Sequence, residues 1–135
     1  MKVWKVLEKP LILEASISLK SEAPEEVVNQ YEPSYSNKLV AWIIGNEESC
    51  GVIQNNRSVC AQYKSAKSIT LYEIKPAKGC GWVGITINDH EGNELATLLE
   101  SRHSEKSLSW LKTTQEVLAD SFGLKVEFED RGWDA

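Results

Sequence analysis

Between Trp82 and Asp130 the apolar residues repeat with period two, then 3.6, then two again, and that succession admits few folds. In Val83-Gly84-Ile85-Thr86-Ile87-Asn88 the apolar side chains alternate with small or polar ones, which predicts a half-buried strand. His90-Glu91-Gly92-Asn93 follows, and Gly and Asn take positive φ at low cost, so a tight hairpin loop is expected. A loop of those four residues sets Ile87 opposite Ala96 and Ile85 opposite Leu98, both pairs on one buried face. The return strand is expected over residues 94–100.

A helix is predicted next, over residues 104–122. Ser104 suits the N-cap, and Glu105 places negative charge at the positive end of the helix dipole. Leu108, Leu111, Leu118 and Phe122 fall on one stripe, with Trp110 and Val117 at its margins, while Lys106, Lys112, Glu116 and Asp120 point elsewhere. Gly123 stands where a left-handed C-terminal cap needs it. Leu124-Lys125-Val126-Glu127-Phe128-Glu129 then alternates strictly and predicts a last strand, with Glu127 and Glu129 on its solvent face.

The remainder fits the same class. A length of 135 residues is natural for one domain with a real core, and 41% apolar with 26% charged residues is ordinary for a soluble globular protein. Charges interrupt the apolar residues of the first nine positions, so no signal peptide or membrane span is read there, and a cytoplasmic location is expected. A strand is expected over 11–19 after Pro10, and a short helix over 24–31 with Pro24 in its first turn. The run Leu39-Val40-Ala41-Trp42-Ile43-Ile44 predicts a strand buried on both faces. Residues 51–54 and 57–63 form a hairpin around Asn55-Asn56, and 68–74 form a strand ended by Pro76 and the turn Gly79-Cys80-Gly81. The sum is an α+β domain of eight or nine strands, a curved antiparallel sheet or incomplete barrel packed against one C-terminal amphipathic helix.

Cysteine usage gives no metal site. Cys50, Cys60 and Cys80 lack any C-x-x-C spacing, so no zinc and no other cofactor is expected. A two-residue turn at Asn55-Asn56 puts Cys60 opposite Gly51, whereas a one-residue bulge would bring Cys50 opposite Cys60. Reduced thiols fit the expected compartment. Five tryptophans are many for this length. Most suit core filling, and Trp4 or Trp133 near the termini suits an exposed binding anchor.

Charge is segregated along the chain. Residues 50–80 carry Arg57, Lys64, Lys67, Lys75 and Lys78 against Glu73 alone, a net of +4, while 21–49 sum to −5 and 81–135 to −6. A basic segment on an acidic body suits a phosphate, an anionic headgroup or an acidic protein patch. Equally, lysines at turns and edges keep strands soluble and discourage edge pairing. With a pI near 5.1 and no long basic stripe, nucleic acid is not an expected partner.

No catalytic residue is predicted. His90 follows Asp89 in the hairpin loop, but adjacent strand or turn residues point apart. His103, just before the N-cap, reads as a surface residue or as satisfying backbone groups there. Cys80 near Lys78 is the one position where a nearby cation favours thiolate, and an idle turn thiol explains it as well. The chain has no G-x-S-x-G, H-E-x-x-H or phosphate-cradling glycine loop.

The hairpin Ile85-Thr86-Ile87-Asn88-Asp89-His90-Glu91-Gly92-Asn93 and the helix ending Val117-Leu118-Ala119-Asp120-Ser121-Phe122-Gly123-Leu124 resemble bacterial PH-like domains over roughly residues 68–130. In that family a strongly bent sheet is closed at one end by an amphipathic helix; the strand at 124–129 departs from its pattern. The resemblance implies a non-enzymatic module that binds peptides, partner proteins or anionic headgroups. The leading expectation is thus a cytoplasmic protein-binding module, an adaptor, inhibitor or immunity-type protein that occludes a partner with a basic surface. The runner-up is an anionic ligand held by Arg57, Lys64 and Lys67, and the third is a small enzyme whose site residues do not group in sequence. The candidate contact residues are Arg57, Lys64, Lys67, Lys75, Lys78 and Trp133.

Overall fold

The computed structural model describes residues 3–6, 21–22, 40–44, 49–54 and 57–134. Strands β1 (Val3–Val6), β2 (Ser21–Glu22), β3 (Val40–Ile44), β4 (Ser49–Gln54) and β5 (Arg57–Gln62) form a five-stranded antiparallel sheet in the order β1-β3-β4-β5-β2. A 3-10 turn, Tyr63–Ser65, then carries the chain into a second sheet. That sheet holds β6 (Ala66–Lys75), β7 (Trp82–Asp89), β8 (Glu94–Arg102) and β9 (Lys125–Trp133) in the order β8-β7-β6-β9. Helices α1 (Glu105–Thr113) and α2 (Gln115–Phe122) lie between β8 and β9 in sequence. The architecture is α+β. The expected strand at 11–19 and helix at 24–31 lie outside the described residues.

β7 is not half-buried as its alternation predicts but buried on both faces, with Gly84, Thr86 and Asn88 covered as well as the apolar side chains. Val83, Ile85 and Ile87 join Ile69 and Leu71 of β6 and Leu98 and Leu99 of β8 in one cluster with Trp110, Leu111, Leu118 and Phe122 of the helices. Cys50 and Val52 of β4 enter the same cluster, so one core serves both sheets. Burial of each large apolar side chain contributes about 1.5–3 kcal/mol, and this cluster is where the fold gains most. α2 approaches β1 and β3 of the first sheet and β9 of the second, while α1 approaches β6 and β7.

The structure divides the single curved sheet of the sequence reading into two and corrects three further details. Ile87 does face Ala96, but Ile85 faces Leu99, because Leu98 is an extra residue in β8 between the Thr86–Thr97 and Ile85–Leu99 pairs. The irregularity lets both consecutive leucines be buried. The helix is interrupted at Thr114, whose amide is shared between the Trp110 and Leu111 carbonyls at 3.1 and 3.2 Å and whose hydroxyl donates to Leu111 O at 2.8 Å. A Thr hydroxyl that bonds its own helix in this way bends it. The ends are as expected: Ser104 Oγ accepts from Ser107 N at 3.0 Å, and Gly123 is left-handed with φ 64°.

The third correction concerns direction. β9 runs parallel to β6, with Ser68 paired to Lys125 and Leu71 to Phe128. A parallel pair needs a crossover, and the two helices supply it by returning the chain from one edge of the sheet to the other. The antiparallel expectation therefore holds for the five-stranded sheet and for β6-β7-β8, not for the last strand.

In the β4-β5 hairpin Gly51 faces Cys60 and Cys50 faces Ala61, the register of a two-residue turn; the bulge that would align Cys50 with Cys60 is not formed. All three cysteines are thiols, Cys50 buried and Cys60 and Cys80 exposed. Burial, and secondarily the nearby Cys60, pushes the Cys50 thiol up to about 12. An unfolded thiol ionises near 9.0, so folded and unfolded Cys50 are both neutral below that pH. Above it the unfolded chain alone loses the proton, and stability falls as pH rises toward the folded value. Between pH 9 and 10.5, wild type should lose about 1 kcal/mol per pH unit more than Cys50→Ala in urea titrations. Parallel pH profiles of the two proteins would contradict that assignment.

Candidate functional site

β9 is the outermost strand of its sheet, and its backbone phase can be read from one side chain. Gln115 Nε2 donates to Val126 O at 3.1 Å, so that carbonyl points away from β6. Backbone groups of successive strand residues alternate in direction, which turns Phe128 and Asp130 outward as well. Among the described residues no strand pairs with β9 on that side. The other edge of the sheet differs, since β8 runs beside β5.

The helix-side face of β9 carries Val126 and Phe128. Phe128 is 37% exposed, because an edge strand leaves one flank of the ring uncovered, and Lys112 Nζ stands 5.2 Å above its centroid. Beside this edge lies an open cleft of about 470 Å³, lined by Lys112, Thr113, Gln115, Glu116, Ala119 and Val126.

The opposite face of β9 is charged. Lys125 Nζ is 2.7 Å from Glu127, and the Arg131 guanidinium lies 4.2 Å above the Tyr72 ring. Arg131 also reaches Glu129 at 2.5 Å and, across the sheet, Glu94 of β8 at 3.2 Å. The Tyr72 hydroxyl donates to the Glu100 carboxylate. In register, Gly84 lies between these two residues, and its missing side chain is the space the Tyr72 ring occupies. Burial first, and the Glu100 carboxylate second, raise the Tyr72 hydroxyl above its ordinary value.

The C-terminal end of β9 is fastened to the β6-β7 loop. One Asp134 carboxylate accepts from the backbone amides of Ala77 (2.6 Å), Lys78 (3.1 Å), Gly79 (3.2 Å) and Gly81 (2.7 Å). These amides, Ala77 foremost, hold its carboxyl below the usual range. Successive amides converging on one anion form a nest, here filled by the protein's own side chain. Asp134 N also donates to Lys75 O at 3.0 Å. Next to it, Trp133 is 64% exposed with Lys75 Nζ 5.6 Å above its ring, and Lys75 is 2.5 Å from Asp130. Asp130 is held below its usual range first by Lys75 and then by the Gly132 amide.

Lys75, Lys78 and Trp133, three of the residues singled out by sequence, therefore meet at one end of β6. Lys64 and Lys67 are exposed at its other end. The eight steps from Lys67 to Lys75 correspond to about 26 Å of strand. Arg57 opens β5 in register with Glu22 of β2 and Gln54 of β4. His103 is neither a surface residue nor held only through backbone groups: its Nε2 sits 2.7 Å from Glu73, with both side chains largely buried, while its amide donates to Gly81 O. Asp89 caps the hairpin loop by accepting from Glu91 N and Asn93 N, and His90 is exposed.

No family model, curated protein or solved structure matches this chain. Among the described residues, no helix is long and apolar enough to cross a membrane, and no group of three or more His, Cys, Asp or Glu side chains could hold a metal ion. Sequence reading missed Phe128, Arg131 and Asp134 as site residues. Phe128 carries the alternation of a core position, and the Asp134 contacts join residues more than fifty positions apart, which no local pattern signals.

Proposed function

We propose that this chain is a non-enzymatic protein-binding module that docks a partner with a basic surface along β9. The observation that carries the reading is Trp133: a large ring, 64% exposed, standing on a strand whose end is held by the Lys75–Asp130 pair and the four amides on Asp134. Exposed aromatic rings on a rigid support bury large area at low entropic cost, which is the character of interface hot spots. Phe128 adds a second, partly exposed ring on the same strand. The acidic balance of residues 81–135 suits a basic partner through steering and complementarity at the rim.

Tagged wild-type protein and Trp133→Ala should be compared for capture from lysate of the source cells at two salt concentrations. The expected result is a basic protein retained by wild type in stoichiometric amount, with affinity for the variant reduced about 30-fold, the loss of one hot-spot ring. Capture should also weaken as salt rises. A partner held equally by wild type and variant would remove Trp133 from the interface, and a salt-insensitive one would remove the electrostatic part of the reading.

A further inference from the structure

We infer that the partner docks by adding a strand to β9, an inference that rests on the protein-binding reading above. The outward backbone groups of Phe128 and Asp130 have no partner among the described residues, and from Lys125 to Asp130 the strand is held in unbroken register on its inner side by β6. An extended peptide supplies the complementary row of amides and carbonyls, with side-chain pockets adding selectivity. The cleft lined by Lys112, Thr113, Gln115, Glu116, Ala119 and Val126 lies beside this edge, where alternate side chains of an added strand descend.

The charge order of β9 specifies the occupant. Its outer-face residues read Lys125, Glu127, Glu129, Arg131, that is plus, minus, minus, plus. A strand paired across from them needs basic side chains opposite Glu127 and Glu129, acidic ones opposite Lys125 and Arg131 and, between the two basic ones, an apolar residue against Phe128. Both carboxylates already touch cations of their own strand, at 2.7 and 2.5 Å, but such exposed pairs exchange at little cost. A second copy of this chain fits poorly. Paired antiparallel about Phe128, β9 opposes Lys125 to Arg131 and Glu127 to Glu129, and like charges directly opposite are destabilising. The occupant is therefore an extended segment in which charged and apolar residues alternate and the charges run minus, plus, plus, minus.

The test uses the full chain and a fluorescein-labelled, end-blocked nine-residue peptide, Val-Glu-Val-Lys-Val-Lys-Val-Glu-Val. Two more versions carry backbone N-methyl groups on the charged residues only or on the valines only, and a fourth exchanges every lysine for glutamate and every glutamate for lysine. An added strand turns only every second amide toward β9, so one N-methyl set should weaken binding at least tenfold and the other should leave it nearly unchanged. The charge-exchanged peptide should bind at least tenfold more weakly than the parent. Equal binding of the two N-methyl sets overturns strand addition, and so does failure of the parent peptide to bind. If lysate capture still depends on Trp133 in either case, the protein-binding reading stands and only this docking mode falls.

Discussion

Phe122→Ala should lower the unfolding free energy by about 3–5 kcal/mol, the usual cost of deleting a buried phenyl ring whose surroundings cannot collapse into the space. Phe122 is buried at the end of α2, the helix that approaches β1 and β3 on one side and β9 on the other. Its carbonyl also accepts the Tyr63 hydroxyl at the corner between the two sheets. A cavity there loosens the joint of the whole domain. Set against a typical total of about 5–15 kcal/mol, the variant is marginal and should melt roughly 10–20 °C lower. Urea and thermal unfolding measure both quantities. Phe122→Leu, which keeps most of the volume, should recover the greater part of the loss. A change below about 1 kcal/mol for the alanine variant would show that α2 does not join the sheets.

Gly84→Val should cost about 2–4 kcal/mol for a different reason. A Cβ at Gly84 overlaps the Tyr72 ring at Cζ, Cε2 and the hydroxyl, so the ring must leave the face of the sheet. Its bond to Glu100 and its stacking with Arg131 go with it. Overpacking in a formed sheet costs about 1–3 kcal/mol, and a lost hydrogen bond to a charged group adds about 1.5–3 at most. The decisive measurement is a double-mutant cycle with Tyr72→Ala. With the ring gone the valine has room, so the two losses should fall short of additivity by at least about 1 kcal/mol. Strict additivity would mean that Gly84 is required by the backbone and not by Tyr72.

Much of the second sheet was legible because its causes are local. Val83, Ile85 and Ile87 alternate, Ser104 caps a helix and Gly123 ends it, and each of these acts within a few residues. What could not be read depends on neighbours distant in sequence. Alternation in residues 124–129 is identical whether the strand runs parallel or antiparallel, so only the crossover reveals the direction of β9. The extra residue at Leu98 was hidden because either adjacent leucine satisfies the pattern. Thr114 breaks the helix through a hydroxyl bond that apolar periodicity does not register. In the candidate site, Trp133 drew notice as a large ring near the end of the chain, while the companion features, Asp134 on four amides and Arg131 over Tyr72, join β9 to loops and strands that precede it by dozens of residues.

The parallel pairing of β9 also fixes an order of events. The β6-β7 and β7-β8 hairpins close through short turns, whereas β9 meets β6 only across contacts such as Ser68 with Lys125. Closing longer loops costs more entropy before any contact compensates, so nonlocal pairings form late. β9 is thus expected to be the last strand of its sheet to join during folding, after the hairpins and the crossover helices are in place. A peptide strand laid along its outer side would make β9 an interior strand, and would bind most tightly the state in which folding has gone to completion.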